Sequence, residues 1–103
     1  MIAQLHRRAL VRFDGDDAAA FLNDLITAST VDMTEGELRP AALLTPQGRV
    51  LFDLLISRDG DAIVLELDAE RRQALIKKMT MYRMRRAVEI TADDRPVHAL
   101  TTP

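Results

Sequence analysis

The stretch LRPAALLTPQGRVLFDLLISRDGDAIVLEL, residues 38–67, decides the fold. It breaks into three apolar runs at two turn signals. Pro46-Gln47-Gly48 separates the first run from the second, and Arg58-Asp59-Gly60-Asp61, with its Asp-Gly hairpin pair, separates the second from the third. Residues 50–57 form the strongest strand pattern in the chain. Three strands joined by two tight turns predict an antiparallel meander over 38–45, 50–57 and 62–67. Pro40 donates no hydrogen bond to a ladder, so the first of these strands is expected at an edge or a bulge.

Outward from the meander, residues 7–13 read as a short strand ending at Asp14-Gly15. Asp16 is a candidate helix cap, and Ala18, Phe21, Leu22, Leu25 and Ile26 follow at helical spacing. On the other side, Asp68 caps a predicted helix over 69–84. Leu75, Met79 and Tyr82 share one face of it, with Ile76 beside them. Leu75, Ile76 and Met79 are expected to be buried, and Arg72 and Lys77 to face solvent. Residues 86–91 read as another strand and residues 97–101 as the start of one more. The order is β-α-β-β-β-α-β-β: an α+β fold with an antiparallel sheet and helices packed on one face.

The chain has 103 residues, about one domain's worth, or part of a larger protein. Cysteine is absent, which excludes disulfides, thiolate metal sites and a cysteine nucleophile within these residues. The two histidines, His6 and His98, lie near opposite ends, which argues against a histidine-based zinc site, and no metal site is expected. No apolar run approaches the roughly 20 residues needed to span a bilayer. The opening MIAQLHRR lacks the layout of a signal peptide, so the expected location is cytoplasmic. No nucleotide-binding glycine loop or hydrolase motif is present, and so few aromatic residues disfavour a nucleic-acid binder. The chain stops at Thr101-Thr102-Pro103, where a strand has only begun, which points to a piece of a longer protein.

The net charge of −2 hides an asymmetry. Residues 14–70 hold 13 acidic and 3 basic side chains, whereas residues 71–86 hold seven basic ones and no acid. Such a run either forms a solvated helix face or attracts an anion, an acidic partner or RNA.

Two constellations could carry chemistry. Strand alternation puts Asp53 on one face with Leu51, Leu55 and Ser57. A carboxylate there either lines a pocket and bonds a ligand N–H, or sits on a half-exposed sheet face or beside an arginine. The second is Tyr82-Arg83-Met84-Arg85-Arg86. Cations at a helix C-terminus are favoured by the dipole, and the same residues offer a flat ring and a guanidinium fork for carboxylates. Met79, Met81 and Met84 are either core or adaptable binding surface.

Three segments resemble the folate-binding family of YgfZ and the glycine cleavage T-protein. They are residues 11–25, with Phe-Asp-Gly-Asp-Asp leading into Ala-Ala-Ala-Phe-Leu; residues 41–54, a strand-turn-strand through Pro46-Gln47-Gly48-Arg49; and residues 77–88, with Met81-Tyr82-Arg83. The last is closest to the YgfZ-like iron-sulfur cluster assembly branch. The resemblance implies that residues 1–103 are the N-terminal folate-binding region of a larger, ring-shaped chain. It implies a tetrahydrofolate-binding accessory protein that serves iron-sulfur client proteins, with Asp53, Tyr82 and Arg85 at the folate site. The branch's Lys-Gly-Cys hallmark would lie beyond these residues. T-proteins carry two adjacent acids where this chain has Phe52-Asp53. The fold is therefore expected to be aminomethyltransferase-like without true aminomethyl transfer, and no catalytic residue is assigned. The alternatives are a T-protein-like aminomethyltransferase and a non-catalytic interaction module using the basic helix 71–86. An incomplete ring would expose apolar strand surface, through which two copies could pair as a homodimer.

Overall fold

The computed structural model describes residues 2–4, 7–95 and 98–100, with side chains from 7 to 95. In chain order the elements are β1 (Ile2–Gln4), β2 (Arg8–Asp14), α1 (Ala18–Leu25), β3 (Leu38–Leu44), β4 (Val50–Asp59), β5 (Ala62–Asp68), a 3₁₀ turn (Ala69–Arg71), α2 (Arg72–Arg83), β6 (Glu89–Asp93) and β7 (His98–Leu100). The meander is present: β3, β4 and β5 are neighbours in a five-stranded antiparallel sheet of order β3-β4-β5-β2-β6. Pro40 lies on β3, an edge strand, where its missing N–H breaks no ladder. The turn between β4 and β5 closes in two residues, Gly60 and Asp61, with Asp59 still paired to Ala62 and Gly60 at φ +60°.

One strand escaped the sequence reading. β1 pairs antiparallel with β7 in a separate two-stranded sheet. The strand expected over 97–101 is seen as His98–Leu100, and residues 97 and 101 lie outside the described residues.

Both helices cover the same face of the large sheet. Phe21 and Leu22 of α1 and Leu75 and Met79 of α2 pack with Val11, Phe13, Ile56 and Leu65, all of them 2% exposed or less. The rings of Phe13 and Phe21 tilt against each other at 6.5 Å. The expected face of α2 is confirmed for Leu75 and Met79 and for exposed Lys77. Ile76 is only partly buried. Arg72 is half-buried rather than solvated, because its guanidinium reaches the carbonyls of Leu10 and Asp93. Tyr82 is exposed, so the buried stripe ends at Met79.

The start of α1 also differs from expectation. Asp17, not Asp16, precedes the helix, and its side chain caps nothing. It accepts instead from the Ala87 N–H at 2.9 Å, while the Asp17 N–H donates to the Ala87 carbonyl at 3.1 Å. Gly15, at φ +113°, permits this clamp. A Cβ there would stand 2.3 Å from the Ala87 oxygen. The turn after β2 is thereby tied to the link between α2 and β6.

Candidate functional site

The face of the sheet opposite the helices has no covering layer among the described residues. Its charges are mostly paired. Arg8 meets Glu66 at 3.0 Å, and Arg12 meets Asp59 at 2.6 Å and Asp14 at 3.0 Å. Arg95 meets Asp93 at 2.6 Å. The Arg95 guanidinium holds the Asp93 carboxyl below the usual carboxylate range, and Asp59, then Asp14, hold Arg12 above the usual guanidinium value.

Asp53 stands apart from this network. It is exposed and, among the described residues, enters no side-chain hydrogen bond or ion pair. The register explains why. On the β5 side, pairing with β4 begins only at Leu55, so at Asp53 the strand is paired only with Ala42 of β3. The carboxylate lines a hollow of about 240 Å³ with Arg8, Phe52, Leu67, Asp68 and Arg71. Arg71 lies flat over the Phe52 ring, 4.3 Å from its centre, and donates to the Leu51 carbonyl at 2.7 Å. A second hollow, about 320 Å³, shares Phe52 and Arg71 and runs along α2 past Lys77, Lys78 and Met81.

The three residues singled out from sequence are not brought together here. Tyr82 lines neither hollow. It lies under the ammonium of Lys78, which is 5.4 Å from the ring centre. Arg85 lines a different, shallow groove at the end of α2, with Arg86, Ala87 and Gly15. The neighbours that shape the Asp53 hollow are Phe52, Arg71 and Arg8. Arg71 belonged to the basic run and Phe52 adjoins Asp53. Arg8, 45 positions away, gave no local signal.

Chemically, the lining offers two carboxylates, Asp53 and Asp68, a phenylalanine edge beneath Arg71, and a second guanidinium, Arg8, that is paired with Glu66. That set suits a flat heterocycle with ring N–H and amino donors. Among the described residues no group of three His, Asp or Glu side chains could hold a metal ion.

No protein-family profile matches the chain. Individual relatives do. The chain is 33% identical to the mitochondrial iron-sulfur cluster assembly factor IBA57 homologue of Pyricularia oryzae, over 79% of this chain and 22% of that protein. It is 33% identical to the Chaetomium globosum homologue, over 86% of this chain and 25% of that one. It is 34% identical to the Mus musculus factor IBA57, over 84% of this chain and 28% of the mouse protein. The chain thus spans about a quarter of the length of the curated relatives it matches. In structure it superimposes on the glycine cleavage system aminomethyltransferase T of Bartonella henselae with a TM-score of 0.83. There the identity is 19%, over 94% of this chain and 27% of that one. The family resemblance of the motifs holds: the chain is related in sequence to the YgfZ-like iron-sulfur assembly factors and has the fold of about a quarter of a T-protein. All three sequence relatives are mitochondrial by name, and that overturns the expectation of a cytoplasmic protein.

Proposed function

We propose that residues 1–103 are the N-terminal, folate-facing portion of a YgfZ-like accessory factor for iron-sulfur cluster assembly or repair. The iron-sulfur role is supported by the relatives, which carry it in their names. The folate reading is carried by one observation: Asp53, without a side-chain partner among the described residues, lines a hollow together with Phe52 and Arg71. Asp53 would accept from the pterin's amino and ring N–H groups. Tyr82 and Arg85 are assigned to the same ligand through the family motif, with Arg85 meeting its carboxylates. For that, a covering layer from the longer chain would have to close the space between them.

Aminomethyl transfer finds less support. Where T-proteins carry the first of two acids, Phe52 turns its ring into the helix-covered side of the sheet and is 4% exposed. A buried hydrocarbon ring offers no second carboxylate to the reacting centre.

The functional test is genetic. Cells lacking their own YgfZ-like factor should regain iron-sulfur enzyme activity when the intact protein is expressed, and regain less with Asp53→Ala at equal protein level. Failure of the wild type to restore activity would remove the iron-sulfur assignment. Full restoration by the variant would remove Asp53 from it.

A further inference from the structure

α2 leaves one flank without a partner. Of the seven cations in residues 71–86, four are used within the fold. Arg71 donates to the Leu51 carbonyl, Arg72 pairs with Asp94, Arg83 donates to the Val88 carbonyl, and Arg86 pairs with Asp24. Lys77, Lys78 and Arg85 enter no hydrogen bond or ion pair among the described residues. Between them the apolar surface is bare: Met81 is 69% exposed and Met84 83%. Ala74, Lys78 and Met81 follow one another at steps of four and three within α2, which puts them on a single stripe. Beside the stripe runs the hollow of about 320 Å³ floored by Leu51, Phe52 and Ala74.

We propose that this flank of α2 docks an acidic amphipathic helix of a partner protein. The hollow and the exposed methionines supply the apolar seat, and Lys77 and Lys78 supply the charge complement. Methionine side chains adapt to varied apolar anchors, as partner-binding grooves require. The stripe from Ala74 to Met81 rises about 10 Å at 1.5 Å per residue, enough to seat about two turns of a helix. Nucleic acid fits less well. A phosphate backbone would have to run past Asp53, Asp68 and Glu70 at the Arg71 end, and only Tyr82 could stack with a base. The two hollows share Phe52 and Arg71, but the residues tested here, Lys77 and Met81, have no part in the folate reading, so the two can fail separately.

The test uses the intact protein and a labelled helical probe peptide, with Leu at i, i+4 and i+7 and Glu at the flanking positions, followed by fluorescence anisotropy. The probe should bind, and a scrambled peptide of the same composition should bind at least about fivefold more weakly. Lys77→Glu should weaken the probe about fivefold or more and flatten its salt dependence. The same charge change at Arg49→Glu, on the exposed turn between β3 and β4, should leave binding unchanged. Met81→Ala should weaken the probe while keeping the salt dependence. All three sites are exposed, so circular dichroism melts of the variants should match the wild type. Absence of probe binding, equal binding of the scrambled peptide, or equal loss in Arg49→Glu would overturn the proposal. So would tighter binding of a single-stranded RNA oligonucleotide than of the probe.

Discussion

The two faces of the large sheet handle their side chains in opposite ways. Under the helices, Val11, Phe13, Ile56, Leu65, Leu75 and Met79 are shut off from water. On the other face the rows are mixed. Leu10 and Leu55 are half-buried, Arg8 pairs with Glu66 and Arg12 with Asp59 across strands, and Arg95 pairs with Asp93 two residues before it. Stability comes chiefly from the covered face, because removal of apolar area from water outweighs ion pairs open to solvent. Function is assigned to the open face, at Asp53, a carboxylate that the pairing leaves out.

The sharpest break in that comparison would come from the covered face. Leu75→Ala removes a side chain with no solvent exposure and should destabilise the protein by about 2–5 kcal/mol. A denaturant melt checks this, and a loss below about 1 kcal/mol would mean that α2 contributes little to the core. The open face should respond less. Arg12→Ala cuts two ion pairs of a side chain 32% exposed and should cost about 1 kcal/mol by the same melt, with less effect in high salt.

A smaller effect belongs to the acid limb of the pH profile. Asp93 has its folded-state pKa depressed, first by the hydrogen bond from Arg95. A depressed carboxylate contributes stability that is present above its unfolded value, near 4, and lost as pH falls through the folded value. Asp93→Asn should therefore be less stable than wild type at neutral pH and converge with it below about pH 3. A constant gap across that range would show that the pair contributes through packing rather than charge. Smallest of all, Asp53→Ala should change stability by less than about 0.5 kcal/mol, since the side chain is exposed and unpaired.

Much of this division was legible in the sequence. The meander followed from Pro46-Gln47-Gly48 and Asp59-Gly60, because turn chemistry is local. The face shared by Leu75 and Met79 followed from helical period. What periodicity cannot give is where a neighbouring element ends. Tyr82 lies on nearly the same meridian of α2 as Leu75, yet nothing covers it there. Asp53 reads as a mid-strand acid, but its exposure depends on β5 leaving the ladder before that point, a property of register between distant segments. β1 was invisible for a related reason: a three-residue strand has too short a pattern to show a period, and it is defined by pairing with β7 far along the chain. Asp16 looked able to cap α1, but Asp17 is the residue before the helix, and the contact with Ala87 that occupies it is a tertiary one.

The most direct measurement is a calorimetric titration of tetrahydrofolate into the intact protein, run in parallel on wild type, Asp53→Ala and Tyr82→Ala. Asp53→Ala should weaken binding by about 1–3 kcal/mol, the usual consequence of leaving ligand donors unpaired, while its melting curve stays that of the wild type. Affinity unchanged in both variants, or no binding to the wild type, would contradict the assignment of folate to this face.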